Sequence, residues 1–246
     1  ALDSQCFEMV LQPKMNLQTN SVIAAEALVR WRLEDGTYLP PSSFVDIFEK
    51  NLFCSKLDFY MLKKAIQQIR KWIDMGINPV NISVNQSKIV FYHENYISEL
   101  KSLLEEYNVL GSYITLEVLE STVIEDFKLF NQILLEVKKL GFSVSLDDFG
   151  SGYSSLNVLS KLQIDELKID RIFLHTKSEV DNQRTKWILE SIIDIAKKSQ
   201  ILVVVEGVES KQDDLFIKNL GADVGQGYFY GRPLSISAFN DLIETK

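Results

Sequence analysis

Cysteine and histidine are scarce in this sequence, and neither type is grouped. Cys6 and Cys54 are the only cysteines among 246 residues. Two cysteines are too few for a disulfide framework, and they lack the CxxC spacing of a zinc or redox site. The two histidines, His93 and His175, show no paired ligand spacing, so we interpret both as surface residues. This composition fits a reducing, cytoplasmic compartment.

Long apolar runs and an excess of basic residues are also missing. No run approaches the ~18 residues that span a bilayer, so we expect no membrane contact from this domain. The polar, acidic start is not a signal peptide, and the missing initiator Met suggests a piece of a longer protein, which could be anchored through its other regions. The net charge of -8 argues against polymeric DNA or RNA, because phosphate-backbone binding needs a basic face. A small phosphate ligand held through metal ions remains compatible with this charge.

The length and the residue pattern favour one α/β domain over residues 1–246. A chain of 246 residues is close to the ~250 typical of a single (β/α)8 barrel. Short apolar runs alternate with segments of helical periodicity, which is typical of βαβ units and a mostly parallel sheet. The predicted strands are Phe7–Leu11, Val22–Leu28, Pro79–Ser83, Tyr113–Val118, Ser143–Leu146, Glu166–Ile169, Leu202–Val205 and Gly227–Tyr230. The first two follow each other without a helix, so we predict a TIM-like barrel with an irregular, antiparallel first strand.

Oxygen-bearing and charged residues recur where the predicted strands end. They are Glu26, Asn81, Glu117, Asp147 with Asp148, Lys168, Glu206 and Gln226. One such carboxylate alone would usually be a solvated loop residue or a helix cap. Several on the rim that carries the active site of such barrels would repel one another unless cations lay between them. Oxygen ligands without a His or Cys cluster favour Mg²⁺ or Mn²⁺ over zinc.

Three features of this rim allow two interpretations each. The adjacent Asp147 and Asp148 could bridge two metals, or they could be an acidic pair at a helix N-terminus. Lys168, inside an apolar run, could pair structurally with the carboxylates, or it could hold the attacking water and offset charge in the transition state. Arg30 could fork onto a phosphate or form an exposed ion pair.

An ordered set of motifs resembles the EAL domain family of cyclic-di-GMP phosphodiesterases over nearly the whole chain. The matching segments are Ala25-Glu26-Ala27-Leu28-Val29-Arg30-Trp31, Asn81-Ile82-Ser83, Glu117-Val118-Leu119-Glu120-Ser121, Asp147-Asp148-Phe149-Gly150-Ser151-Gly152-Tyr153, Leu167-Lys168-Ile169-Asp170, Glu206-Gly207-Val208-Glu209 and Gln226-Gly227-Tyr228. The departures from the family pattern are Ala25, Leu119 and Val205, and none of them removes an implied ligand.

The resemblance implies a role for each matching residue. The implied metal ligands are Glu26, Asn81, Glu117 and Asp147, with Asp148 joining a second metal. Lys168 resembles the residue that contacts the nucleophilic water, and Glu206 resembles a metal ligand or general base. Gln226 would support the water and the metal shell, and Gln12 and Arg30 would contact substrate. Glu120 would anchor the loop 147–155, which in the family couples metal binding to dimer contacts.

The implied activity is hydrolysis of one phosphodiester bond of cyclic-di-GMP to linear pGpG by a two-metal mechanism. Mg²⁺ or Mn²⁺ would support turnover, with two ions in each active site. Ca²⁺ is expected to inhibit, because a larger ion with looser coordination would not hold the water in line. A homodimer is also implied. The alternative function is a catalytically inactive receptor that binds cyclic-di-GMP and signals through an attached domain.

Overall fold

The computed structural model describes residues 6–50, 53–125, 127–150, 162–174 and 179–244. Within these ranges nine strands form one sheet, and a pairing between the first two strands closes eight of them into a barrel. The strands are β1 Phe7–Asn16, β2 Ser21–Arg32, β3 Tyr38–Leu39, β4 Asn81–Asn85, β5 Ile114–Leu119, β6 Ser143–Phe149, β7 Glu166–Ile169, β8 Leu202–Val205 and β9 Val224–Gln226. The predicted barrel is therefore confirmed, with β3 as an extra strand outside it.

Strand direction follows the sequence prediction at the start of the chain and departs from it at the end. β1 is antiparallel to both β2 and β9, and β3 is antiparallel to β2. The strands β2 and β4 to β9 run parallel to one another. The predicted last strand, Gly227–Tyr230, is wrong, because the last strand of the structure, β9, ends at Gln226. The amides of Tyr230 and Gly231 both donate to the carbonyl of Gly227, so this aromatic segment folds into a turn despite its β-like composition.

Helices follow most of the parallel strands and cover the outside of the barrel. Their bounds are α1 Val45–Lys50, α2 Cys54–Asp74, α3 Lys88–Phe91, α4 Tyr96–Tyr107, α5 Glu120–Glu125, α6 Phe127–Lys139, α7 Glu179–Lys198, α8 Lys211–Leu220 and α9 Ile236–Glu244. In α2 the buried residues Leu57, Met61, Leu62, Ala65 and Ile69 recur at helical spacing, as an amphipathic outer helix requires. None of the described helices has the length and apolar character of a membrane span.

The strands β4 to β7 alternate apolar and polar residues, and this alternation divides the molecule into two environments. Side chains point to opposite faces of a strand at successive positions. The apolar alternates belong to the hydrophobic core shared with the helices; they include Ile82, Val84, Leu116, Val118, Val144, Leu146, Leu167 and Ile169. The polar alternates lie inside the barrel and are buried too; they include Ser83, Glu117, Ser145, Glu166 and Lys168. The barrel therefore has an apolar outer layer and a polar interior.

Candidate active site

Lys168 of β7 is the centre of the charged cluster inside the barrel. Its side chain is 1% exposed, and its Nζ lies 2.8 Å from Glu206 Oε1 and 2.9 Å from Glu117 Oε2. The same Nζ is 3.0 Å from Asp147 Oδ1 and 3.5 Å from Glu26 Oε2. Four strands deliver these carboxylates to one point, because the carboxyl ends of parallel strands meet at one rim of the barrel. The convergence expected from the sequence is therefore present.

The cluster shifts the pKa of Lys168 and of Glu206 upward for different reasons. Burial alone would lower the pKa of Lys168, but the surrounding carboxylates outweigh burial and raise it well above its ordinary value. Burial raises the pKa of Glu206 to about 8; Lys168 opposes this shift, while Asp147 and Glu26 reinforce it. Lys168 is therefore a permanent cation, and the negative charge around it exceeds what a single ammonium can offset.

Asp147, Asp148 and Glu206 are placed as a divalent cation would need them. One carboxylate oxygen from each residue lies within 4.8 Å of the others. Asp148 adopts the left-handed backbone conformation with φ 56°, and its amide donates to Asp147 Oδ1 at 2.9 Å. Burial, and then the charge of Asp147, raises the pKa of Asp148. A cluster of carboxylates with unbalanced negative charge fits a hard cation such as Mg²⁺ or Mn²⁺.

The predicted position of Asn81 is wrong, and Asn85 takes its place. Asn81 begins β4, at the opposite end of the barrel, where its amide nitrogen donates to the Ser112 carbonyl and its oxygen accepts from the Thr115 hydroxyl. Asn85 ends β4, and its Nδ2 donates to Glu26 Oε1 at 3.0 Å. The strand was predicted to end two residues too early, so the first asparagine of the segment 81–85 was assigned to the rim in place of the second.

Gln226 and Gln12 complete the wall beside Glu26. Gln226 Nε2 donates to Glu26 Oε2 at 2.6 Å and lies 3.5 Å from Gln12 Oε1. Gln12 Nε2 donates to the Gly231 carbonyl at 3.2 Å. Gln226 Oε1 is buried without a hydrogen-bond partner among the described residues. That oxygen is available as an acceptor beside the carboxylates, which fits a bound cation with its water.

A cavity of about 380 Å³ opens above these residues. It is lined by Gln12, Glu26, Asp148, Asp170, Arg171, Glu206, Gly207, Glu209, Gln226, Gly227 and Tyr228. Tyr228 is 54% exposed and has the guanidinium of Arg232 4.4 Å from its ring centroid. The cavity thus combines an acidic floor with an aromatic and cationic edge.

Two predicted site residues, Arg30 and Glu120, do not line this cavity. Arg30 is half-buried, its Nη1 donates to the Val29 carbonyl at 2.8 Å, and it lines a neighbouring cavity of about 660 Å³. Burial lowers the pKa of Arg30, and Tyr228 and Glu26 oppose this shift, so its guanidinium is within electrostatic reach of the site. Glu120 is buried at the start of α5, next to β5. The part of the 147–155 loop that it was predicted to anchor, residues 151–155, lies outside the described residues.

Lys14 is the charged residue that sequence analysis missed. It lies in β1, is fully buried, and its Nζ donates to Ser83 Oγ at 2.7 Å and to Glu117 Oε1 and Glu166 Oε1 at 2.8 Å each. The predicted strand stopped at Leu11, but β1 continues through Pro13 to Asn16. The polar alternation of Gln12 and Lys14 was the available signal for an inward-facing lysine.

Comparison with known proteins agrees with this architecture. The EAL domain family model matches residues 1–233, so the chain belongs to the EAL domain family. The chain is 32% identical over 234 residues to the bifunctional diguanylate cyclase/cyclic di-GMP phosphodiesterase MucR of Pseudomonas aeruginosa, covering 95% of this chain and 34% of MucR. It is 31% identical over 240 residues to the cyclic di-GMP phosphodiesterase PdeR of Escherichia coli, covering 97% of this chain and 36% of PdeR. The chain thus spans about a third of the length of these relatives.

Solved structures show the same fold with ligand. The MucR phosphodiesterase in complex with cyclic-di-GMP matches with a TM-score of 0.89 and 32% identity, covering 97% of this chain and 96% of that one. The EAL enzyme Bd1971, with cAMP and cyclic-di-GMP bound, matches with a TM-score of 0.90 and 29% identity, covering 98% of this chain and 65% of that one.

Proposed function

We propose that this chain is a metal-dependent phosphodiesterase that hydrolyses one phosphodiester bond of cyclic-di-GMP to linear pGpG. The observation that carries the proposal is the placement of Asp147, Asp148 and Glu206, whose oxygens lie within 4.8 Å of one another beside the buried ammonium of Lys168. The names of the relatives and the cyclic-di-GMP bound to a structure with TM-score 0.89 support the choice of substrate.

Two divalent cations match the charge of the barrel interior. The carboxylates are Glu26, Glu117, Asp147, Asp148, Glu166 and Glu206, and the ammonium groups are Lys14 and Lys168. Six negative and two positive groups leave a formal charge of -4 when all are ionised, which two divalent ions would neutralise. We assign Glu26, Asn85, Glu117 and Asp147 to one ion, and Asp147, Asp148 and Glu206 to the other.

The reaction requires the bond between phosphorus and the ribose 3′-oxygen to break as the oxygen of water bonds to phosphorus. Bound Mg²⁺ or Mn²⁺ supplies Lewis-acid polarisation of the scissile phosphate. Carboxylate oxygens of Asp147 and Glu206 that now accept from Lys168 would be taken up by bound cations. Lys168 would then have a proton for a hydrogen bond to the attacking water and would offset negative charge on the phosphoryl oxygens. Glu206, 2.8 Å from Lys168, accepts the proton of the water, and the leaving oxygen takes a proton from solvent. Gln226 holds Glu26 in place, while Gln12 and Arg30 contact the substrate.

The test is chromatographic turnover of cyclic-di-GMP by the purified chain with Mg²⁺, Mn²⁺, Ca²⁺ or chelator. We expect pGpG with Mg²⁺ or Mn²⁺, no product with chelator, and inhibition when Ca²⁺ is added to the Mg²⁺ reaction. Lys168→Met, which keeps the volume and removes the charge, should abolish turnover. Binding of cyclic-di-GMP without turnover at saturating metal would replace the enzyme by the receptor alternative. Neither binding nor turnover would refute both.

The remaining expectations belong to the same proposal. We propose a homodimer located in the cytoplasm, with no polymeric nucleic acid as partner and residues 1–246 as a single catalytic domain. Light scattering with and without metal tests the dimer.

A further inference from the structure

The polar interior of the barrel contains a second buried lysine below the Lys168 cluster. Lys14 is 0% exposed and donates its three protons to Ser83, Glu117 and Glu166 at 2.7 to 2.8 Å. An ammonium has three donors, so this lysine is saturated and has no proton left for a substrate or a water. Its position on β1 is fixed from both sides, because Lys14 is paired with Ala24 of β2 and with Gln226 of β9.

Glu117 is the residue that joins the two lysines. Its Oε1 accepts from Lys14 at 2.8 Å, and its Oε2 accepts from Lys168 at 2.9 Å. The carboxylate is therefore held at both oxygens, with Oε1 facing Lys14 and Oε2 facing Lys168. Burial by itself would raise the pKa of Glu117, but the two lysines outweigh burial and lower it to about 2. One oxygen of Glu117 is thus committed to Lys14, and the other faces Lys168.

We propose that Lys14 is a positioning residue for the phosphodiesterase site: by holding Oε1 of Glu117, it presents Oε2 alone to Lys168 and to the metal ion. This inference rests on the proposed function. It assigns Glu117 one ligand oxygen instead of two, and it gives a role to a lysine that touches neither substrate nor metal. Removing a partner that orients a metal ligand typically weakens metal affinity or activity by about 10–100-fold.

The competing explanation is that Lys14 only neutralises Glu166. Glu166 lies at the start of β7, is buried, and accepts from Lys14 at 2.8 Å. If that pair were purely structural, removing both charges together would restore the protein fully. The double variant Lys14→Met with Glu166→Gln removes one positive and one negative charge, so the formal charge of the interior is unchanged. Besides the bond to Ser83, the contact that it abolishes is the hold on Glu117.

The experiment compares the wild-type chain with Glu166→Gln, Lys14→Met and the double variant. Three quantities are measured: the midpoint of thermal unfolding in chelator, the affinity for Mn²⁺ by calorimetry without substrate, and kcat for cyclic-di-GMP at saturating Mn²⁺. We expect Glu166→Gln to keep Mn²⁺ affinity near wild type. Lys14→Met should lower the unfolding midpoint, since it leaves Glu166 without its cation and Glu117 with Lys168 alone. The double variant should regain the midpoint yet bind Mn²⁺ about 10-fold or more weakly, with kcat lowered to a similar degree.

The outcomes separate this inference from the proposed function. A double variant with wild-type Mn²⁺ affinity would overturn the positioning role and leave Lys14 as a structural partner of Glu166. If the wild-type chain binds Mn²⁺ but does not hydrolyse cyclic-di-GMP, the proposed function fails while the Mn²⁺ affinities still decide the role of Lys14. A wild-type chain that binds no Mn²⁺ would overturn both.

Discussion

The two asparagines of β4 offer a matched pair of substitutions with opposite expected effects. Asn85 donates to Glu26 Oε1 at 3.0 Å at the acidic rim, whereas Asn81 bonds to Ser112 and Thr115 at the far end of the barrel. Asn85→Ala removes a hydrogen bond to a carboxylate and one oxygen ligand from the proposed metal site. We therefore expect turnover of cyclic-di-GMP to fall by about 10–100-fold or more. Because Asn85 is exposed, water can replace its hydrogen bond to Glu26, and we expect little change in unfolding temperature.

Asn81→Ala should show the reverse pattern. It removes two hydrogen bonds, each worth about 0.5–1.5 kcal/mol, so the expected loss of stability is about 1–3 kcal/mol. For a chain of this size each kcal/mol corresponds to about 2–4 °C in the unfolding midpoint. Scanning fluorimetry and chromatographic turnover with Mn²⁺, run on both variants, make the comparison. A stable but inactive Asn81→Ala beside an active Asn85→Ala would refute the structural assignment and restore Asn81 as the ligand.

Three further predictions concern the site, its backbone support and the periphery. Glu26→Gln and Asp147→Asn should each lower turnover by orders of magnitude while the unfolding midpoint stays near wild type, and near wild-type rates would show that the site is misplaced. Gly227→Ala should destabilise the chain in urea unfolding, because the added Cβ would collide with the Val208 backbone beside the last strand; an unchanged midpoint would contradict this packing. Asp214, buried and bonded to two lysines and a tyrosine, has a pKa of about 2 against an ordinary 3.8, so Asp214→Asn should cost about 2 kcal/mol at pH 7. That difference is present above pH 4 and should vanish as the pH falls toward 2, and a pH-independent difference would refute it.

The barrel could be predicted because two local signals agree along the chain. Alternating strand and helix patterns gave a parallel sheet, and the missing helix between the first two strands gave an antiparallel β1. Strand ends were less predictable. The Gly227–Tyr230 segment has aromatic residues that favour strands, yet its backbone folds into a turn because the amides of Tyr230 and Gly231 both bond to Gly227. Composition cannot reveal that a carbonyl will be bonded locally.

The site could be predicted where the acidic candidate of a strand was single or stood in an adjacent acidic pair. Glu26, Glu206 and Asp147 beside Asp148 satisfy this condition, and the structure brings Glu26, Asp147 and Glu206 to Lys168. Strand β4 has inward polar residues at positions 81, 83 and 85, so only the register decides which of them reaches the rim. Lys14 was missed for a related reason, because the predicted strand ended at Leu11 and the observed strand β1 continues past Lys14 to Asn16.

In this fold the apolar residues of the strands provide most of the stability, and the polar residues inside the barrel provide the chemistry. The apolar alternates of each strand pack against the helices, and burying one Leu, Ile or Val side chain contributes about 1.5–3 kcal/mol. The interior contributes differently: every buried charge there requires an opposite charge, and removing a single partner leaves an uncompensated one. Lys14 and Lys168 supply the positive charges at two heights inside the barrel, and Glu117 bonds to both. Substitutions that keep the interior charge constant should therefore affect metal binding and catalysis before they affect folding.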